Sequence, residues 1–381
     1  FSLLIDNISL LLKIHIMKNK LRLLKNIYLK KNKPVSLIIF LTERCNARCS
    51  FCFIDFNPNA KGQKKENEIS VENFKTMSLS LKDSLHHLNF TGGEPFLRSD
   101  FDQIISNFIE NCDLSSVVIS TNGSYPKKIS KFLDNVCLKY PETKFIFQFS
   151  IDSFPERHNE IRKIPGLFDR TIESYNFVKN SHKNCISTCN LTISEDNYQQ
   201  IEEVYDYLTE KHNIETINPI VVRNEGVYDV PSESKIALIE AYKKITKKNV
   251  ENVDKGNLRG FSNFDIEGKV INEKNKIQYK MIAETYLKPK FYSNCVAGSI
   301  FGVVTSDGNV LPCEILDKDK ALGNLKDYDF NFMKLWNDTK AKDTRKWIKD
   351  TKCNCHWECI FTYNLISSPK YTANIASKII K

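Results

Sequence analysis

Three cysteines, Cys45, Cys49 and Cys52, form a Cys-x-x-x-Cys-x-x-Cys run directly after the apolar stretch Val35–Leu41. A cubane iron–sulfur cluster offers four irons, so three thiolates leave one iron open to bind and activate a ligand, unlike a fully ligated electron carrier. Ferredoxin spacings use four cysteines, and no fourth lies near this run. Offsets of four and three also fit one face of a helix, so the competing reading of the run alone is three ordinary buried thiols.

A second group lies toward the C-terminal end. Cys295-x12-Gly308-x4-Cys313 precedes Cys353-x-Cys355-x3-Cys359. Gly308, in Ser306-Asp-Gly-Asn309, suits a tight turn between short strands, which brings Cys295 and Cys313 close. The later cysteines then close a four-ligand site: Cys295, Cys313 and two of Cys353, Cys355 and Cys359. A thiolate metal centre, iron–sulfur or zinc, is the expected occupant. Zinc thiolate sites usually use Cys-x-x-Cys knuckles, and none occurs in this region. His356 lies inside the group and is expected to pack or face solvent. Cys112 and Cys137 read as buried thiols on or near helices, and Cys185 and Cys189 lie about 13 Å apart on one strand face, too far for one cluster. Twelve cysteines in all suggest metal or redox chemistry, since disulfides are rare in the cytosol.

Alternating strands and helices must position these groups. Strands are expected at Val35–Leu41, Leu88–Phe90, Val117–Ile119, Phe145–Ile151, Ile186–Ile193 and Thr216–Val222. Helices are expected from Ser70 toward Leu85, over Phe101–Ile109 behind a capping box of Ser99 and Asp102, from Pro126 to about Tyr140, over Phe168–Val178, and from Asn197 to about Glu210. Such alternation implies parallel strands with right-handed crossovers, and the chemistry-bearing residues mostly follow strand C-terminal ends, where α/β folds place their sites. After Pro231 the pattern changes. A long helix capped by Ser232 or Ser234 runs to about Asn249, an Asn-rich linker follows, and a second helix spans Asn272–Leu287 before the short strands and the last cysteines. No internal repeat or low-complexity tract is present.

The 381 residues suffice for one large α/β domain and a smaller one. The chain begins at Phe1, and Met17 is read as a start. Phe1–Ile16 lacks the order of a signal peptide, and nothing approaches the ~20 apolar residues of a transmembrane segment, so a cytoplasmic protein is expected. The net charge is +9, yet residues 1–33 hold eight Lys or Arg against Asp6, so the body is nearly neutral and no nucleic acid partner is expected. Leu21, Leu24, Ile27 and Tyr28 share one face of this basic extension. A membrane surface or acidic partner could meet it, but the expectation is a solvated helix lying against the main domain.

The first cysteine run, with Phe51 just before its last member, resembles the signature of the radical S-adenosylmethionine (SAM) superfamily. The resemblance continues in order through Thr91-Gly92-Gly93-Glu94-Pro95, Ser120-Thr-Asn122-Gly123, Ser150-Ile-Asp152 and Arg162, over roughly residues 35–225. It implies an α/β fold, a partial (β/α)6 TIM-type barrel, with the open iron chelated by the amino and carboxylate groups of SAM. By the same resemblance Gly92 and Gly93 let backbone approach the ligand, Glu94 accepts from the SAM ammonium, and Asn122 lines the site. Ser150 and Asp152 contact the ribose or carboxylate region, and Arg162 meets the carboxylate. A surface ion pair of Arg162 with Glu156 or Asp169 is the alternative. Arg223 and Glu225 could face the substrate.

The C-terminal group, with Leu311-Pro-Cys-Glu314 and Leu322-Gly-Asn324, resembles the SPASM and twitch extensions that bind auxiliary 4Fe–4S clusters. No cysteine follows Cys359, which favours one auxiliary cluster of the twitch kind. The expected division is an N-terminal extension (1–33), a core barrel (34–230), a helical linker (231–290), an auxiliary cluster domain (291–366) and a tail (367–381). The resemblance implies an enzyme that takes an electron from a flavodoxin or ferredoxin, cleaves SAM to a 5′-deoxyadenosyl radical and abstracts a hydrogen atom. The expected outcome is an oxidative modification of a peptide or protein, or of a sugar-like small molecule. A leader-peptide-binding module does not fit into residues 1–33. A non-catalytic iron–sulfur or zinc sensor or scaffold is the competing class, and it has no need of the Gly-Gly-Glu, Ser150, Asp152 and Arg162 set.

Overall fold

A computed structural model of the chain describes residues 18–29, 32–57, 63–223, 230–261, 266–316 and 318–379. The readings at Phe1–Ile16, Met17 and Glu225 lie outside them. Six strands, β1 (Ser36–Thr42), β2 (His87–Gly92), β3 (Ser116–Thr121), β4 (Lys144–Ser150), β5 (Cys185–Ile193) and β6 (Ile217–Val221), lie side by side in chain order, each parallel to the next. The sheet does not close, which makes it the expected partial barrel. All seven residues of β1 are buried, as an apolar strand covered on both faces requires.

The helices of the barrel are α1 (18–24), α2 (Val71–Leu81), α3 (Phe101–Cys112), α4 (Pro126–Phe132), α5 (Pro155–Arg162), α6 (Leu167–Lys179) and α7 (Ile201–Asp206). Ser70 caps α2 as expected, its hydroxyl accepting from the Asn73 N–H. The capping box at α3 is not formed. Asp100 is the cap residue there, and its carboxylate is held by Arg98 through bonds of 2.8 and 2.7 Å instead. Helix α5 was not foreseen, because PERHNEIR offers one aliphatic residue and no apolar stripe.

Beyond the barrel come α8 (Ser232–Asp254) and α9 (Ile266–Leu287), then β7 (Phe301–Val304), β8 (Asn309–Leu311), β9 (Gly323–Asn324), α10 (Phe332–Trp336), α11 (Thr339–Asp350), α12 (Glu358–Ile366) and α13 (Pro369–Ile379). Pro231, not Ser232 or Ser234, precedes α8, and the Ser234 hydroxyl bonds Glu195. Strand β7 joins β1 in parallel, and β8 and β9 continue antiparallel, so the sheet runs β6-β5-β4-β3-β2-β1-β7-β8-β9. Gly308, at φ 96°, makes the expected turn between β7 and β8.

The N-terminal segment lies against this body by the Ile27 and Tyr28 end of the face read from the sequence. Leu21 and Leu24 are exposed, while Asn26 and Ile27 are buried. Arg22 donates to the carbonyls of Lys82 and Cys112, and the Tyr28 hydroxyl donates to the Ile366 carbonyl at 2.6 Å. Lys25–Leu29 form a π-helical turn. No helix of the described residues is long and apolar enough to cross a membrane.

Candidate metal centres

The loop after β1 carries Cys45, Cys49 and Cys52, and four elements pin it. Arg44 binds Glu68 through Nε (2.8 Å) and a terminal nitrogen (3.2 Å). The Asn46 amide donates to Ser124 Oγ at 2.9 Å. Backbone N–H groups of Arg48 and Ser50 donate to the carbonyls of Arg162 and Ile161, at the end of α5. The Ser50 hydroxyl reaches Asp196 at 2.6 Å. Sequence reasoning missed Glu68, Asn46 and Ser124, which carry no motif of their own.

The Gly-Gly-Glu turn after β2 presses on the same loop. The Gly93 N–H donates to the Thr42 carbonyl at 2.7 Å, and the Glu94 N–H to the Arg44 carbonyl at 3.0 Å. A Cβ on Gly92 would stand 2.1 Å from the Thr42 oxygen, and one on Gly93 would stand 2.0 Å from the Arg44 oxygen. The close approach these glycines permit is therefore to the cysteine loop's own backbone. Glu94 is fully buried, and its carboxylate accepts from the Thr121 hydroxyl, the Asn122 N–H and the Phe96 N–H. The Asn122 side chain donates to Asn46 at 2.9 Å and approaches Cys45 Sγ at 3.9 Å.

Asp152, fully buried just past β4, accepts from Arg162 Nε at 2.7 Å. A terminal nitrogen of Arg162 lies 3.8 Å from Cys49 Sγ. Neither Glu156 nor Asp169 pairs with Arg162, because α5 turns the guanidinium inward. Ser150 ends β4 opposite Asn190, and among the described residues its hydroxyl does not join this bonding. Phe51 packs against the barrel core. The C-terminal ends of β1 to β4 thus bring Cys45, Cys49, Cys52, Glu94, Asn122, Asp152 and Arg162 to one place.

Burial pushes the Cys45 thiol up to about 12, with the Glu94 charge adding to it, and the Cys52 thiol up to about 11. Cys49 is raised too, chiefly by burial and against the pull of Arg162. All three are free thiols. Without iron they are neutral at pH 7, and ligation must displace their protons. Among the described residues no three His, Cys, Asp or Glu converge on one ion-sized point. A cubane makes no such demand, because each thiolate binds a different iron, whereas zinc needs its ligands within about 2.3 Å of one centre.

The second cysteine group gathers around one small core. Cys313 is buried there with Ile38, Phe40, Phe301 and Trp357, and Cys295, Cys353, Cys355 and Cys359 pack against it. Cys295 and Cys353 lie against each other, an interaction that lowers the Cys353 thiol and, together with burial, raises that of Cys295. Burial holds Cys313 up at about 12. Asn364 of α12 accepts from the Val296 N–H at 2.9 Å, fastening the helix of Cys359 to the loop of Cys295. The buried Trp357 N–H has no acceptor among the described residues, a donor suited to a cluster sulfur. His356 packs on Tyr286 as expected, with ring centroids 4.8 Å apart.

Arg223, two residues past β6, joins the two centres. Its guanidinium carbon lies 4.2 Å from the Phe53 ring centroid and 3.2 Å from that of Trp357, and it pairs with Glu314 at 3.3 Å. Phe53 adjoins Cys52, and Glu314 adjoins Cys313. Elsewhere, Cys112 and Cys137 are buried as expected, and Cys137 also meets Cys185, a pairing hidden by their separation in sequence. A groove of about 440 Å³ between α9 and α13 shares no lining residue with either cysteine group.

Residues 39–208 match the model of the radical SAM superfamily, and residues 295–360 match that of the SPASM iron-sulfur cluster-binding domain. GTP 3′,8-cyclase of Campylobacter jejuni subsp. jejuni serotype O:6 is 36% identical over 111 residues, which are 27% of this chain and 32% of that protein. The antilisterial bacteriocin subtilosin biosynthesis protein AlbA of Bacillus subtilis is 29% identical over 143 residues, 37% of this chain and 30% of that protein. The chain spans about a third of the length of these curated relatives. Among solved structures, native anSMEcpe with bound AdoMet superposes with a TM-score of 0.57 at 20% identity, covering 91% of this chain and 98% of that one. Streptococcus suis SuiB bound to precursor peptide SuiA superposes with a TM-score of 0.53 at 16% identity, covering 85% and 68%. At these identities the likeness is one of fold.

Proposed function

This chain is a radical SAM protein with a C-terminal SPASM domain, and we propose that it cleaves SAM reductively to modify a peptide or protein oxidatively. The observation that carries the reading is the interlock of the Cys45–Cys52 loop with Glu94, Asn122, Asp152 and Arg162. When bound, the 4Fe–4S cluster and SAM supply the radical chemistry, in which one electron breaks the sulfonium bond to the ribose and the adenosyl fragment takes a hydrogen atom.

The chain's residues hold and orient. Cys45, Cys49 and Cys52 take three irons and leave the fourth for SAM. Glu94, fixed by three donors, presents a carboxylate to the ammonium of SAM. Asp152 holds the Arg162 guanidinium toward Cys49, where it can meet the SAM carboxylate. Cys295, Cys313 and Cys353, with Cys355 or Cys359, would hold a single auxiliary cluster, which would supply an electron acceptor. The contact of Cys353 with Cys295 supports its place in that set. A peptide or protein substrate is supported by AlbA, a bacteriocin biosynthesis protein, and by SuiB, solved with its precursor peptide. A flavodoxin or ferredoxin is the proposed electron donor.

Anaerobic reconstitution with iron, sulfide and 5′-deoxyadenosine assays tests the core claim. Cys49→Ala is expected to remove the first cluster and bring SAM cleavage to background, and intact cleavage would overturn the reading. For the substrate, a fully deuterated cell extract is split into peptide or protein and small-molecule fractions. Deuterium reaching 5′-deoxyadenosine from the first fraction supports the proposal, and deuterium from the second alone replaces it with a small-molecule oxidation.

A further inference from the structure

Lys274 lies on α9, outside the SPASM match, and its side chain is buried at 8% exposure. Its ammonium donates to Gln278 Oε1 at 2.9 Å and Thr362 Oγ1 at 3.2 Å, both neutral acceptors. The carboxylates of Glu273 and Asp254, close on the same helix and its neighbour, are taken by Lys276. Lys274 therefore has no carboxylate partner among the described residues. Burial pulls its pKa down to about 8, against the Cys359 charge, so it is still mostly a cation at pH 7.

A buried charge with neutral partners is costly, and breaking or omitting its counter-charge typically costs a few kcal/mol. The surroundings point to where the counter-charge belongs. Thr362 stands one turn after Cys359 on α12, so the two share a helix face. The Gln278 amide donates to the Glu358 carbonyl at 3.2 Å, clamping the turn that carries Cys359. Arg223 also faces Cys359, but Glu314 neutralises it. The Glu358 charge also bears on Cys359, and Lys274 is the cation of this turn whose ammonium meets only neutral acceptors.

We propose that Lys274 is the buried counter-charge of the auxiliary cluster, held at its Cys359 end by Gln278 and Thr362, and that it makes this cluster easier to reduce. The proposal rests on the reading that the C-terminal cysteines, with Cys359 and not Cys355 as the fourth ligand, hold an iron–sulfur cluster. A cubane on thiolates carries net negative charge and gains one more on accepting an electron, so a fixed cation favours the reduced form. Lys274 touches neither substrate nor reacting atoms in this account. It is a positioning charge contributed by the linker helix.

The test is a potentiometric titration of reconstituted holoenzyme followed by electron paramagnetic resonance, with SAM added to identify the first cluster by its changed signal. Lys274→Met and Lys274→Gln are expected to lower the auxiliary midpoint by at least a tenfold change in the oxidised-to-reduced ratio, about 59 mV for a one-electron couple. The first cluster's midpoint is expected to stay put, and Lys274→Arg to restore the auxiliary value. In cluster-free protein Lys274→Met should melt no lower than the parent, since it removes an uncompensated buried charge. An unshifted auxiliary midpoint in both neutral variants overturns the proposal, as does an equal fall in both clusters, or in Lys274→Arg. A parent protein that loads only about four irons, all SAM-responsive, removes the reading beneath it as well.

Discussion

At Glu94 a single carboxylate is buried completely yet surrounded by donors. Burial pushes its pKa up to about 6, against the bonds from Asn122, Thr121 and Phe96 and the charge of Arg162. A carboxyl raised above its ordinary 4.5 supports folding below that value and loses the contribution as pH rises through about 6, on the order of 2 kcal/mol. SAM-free protein is therefore expected to lose stability relative to Glu94→Gln over that window, as thermal melts at stepped pH would show. An ammonium beside Glu94 reverses the sign, because it favours the ionised form. SAM affinity is expected to rise as pH passes about 6 and then level off. Glu94→Gln keeps the shape but not the charge, and should weaken SAM by roughly 10–100-fold, from ~1.5–3 kcal/mol for a hydrogen bond to a charged group. Its binding should also lose the pH dependence. Calorimetric titration of cluster-loaded protein decides it, and unchanged affinity would remove Glu94 as the partner of the SAM amine.

The strand-end loops show why some of this was legible before any coordinates. The strands read directly from apolar runs, and the Cys45 run, Gly-Gly-Glu and Ser150-Ile-Asp152 are local patterns with local spacing. Glu68 and Ser124 were invisible because they act on Arg44 and Asn46 across 24 and 78 residues. The glycines were legible as close-approach residues, but what they approach is the carbonyl of Arg44 and the end of β1. Gly93 provides a clean test, since it needs space and not an unusual backbone angle. Gly93→Ala is expected to cost roughly 1–3 kcal/mol of stability through overpacking and to shift the Cys45 loop enough to lose the first cluster while the auxiliary one stays. Gly256 is the control, at φ 77° with nothing within 4 Å of its would-be Cβ. Gly256→Ala carries backbone strain alone and should leave both clusters loaded. Iron content and the SAM-responsive signal measure the difference, and a fully loaded Gly93→Ala protein would show that the loop tolerates displacement.

Across the whole molecule, β1 is a wall shared by the two cysteine centres. Its alternation sends Leu37, Ile39 and Leu41 into the barrel core, and Ile38 and Phe40 into the core that buries Cys313 and Trp357. Strand β7 extends β1 in register from Ser36 opposite Phe301, so the C-terminal cysteines are fixed to the barrel by a sheet. Arg223 closes the same junction from the β6 side, between the Phe53 and Trp357 rings and against Glu314, whose side chain is 5% exposed. Removing the guanidinium leaves that carboxylate buried without its partner, so Arg223→Met is expected to cost about 3–5 kcal/mol. Glu314→Gln in the same chain should recover part of the loss, because no unpaired charge remains, with a coupling of roughly 1–3 kcal/mol in the double-mutant cycle. What the double variant does not recover is the stacking between the rings, and with it the tie between Cys52 and Cys313. Thermal unfolding of the four proteins with clusters loaded gives the cycle. Additive effects would mean that Arg223 contributes by stacking alone and that the ion pair does not help hold the two centres together.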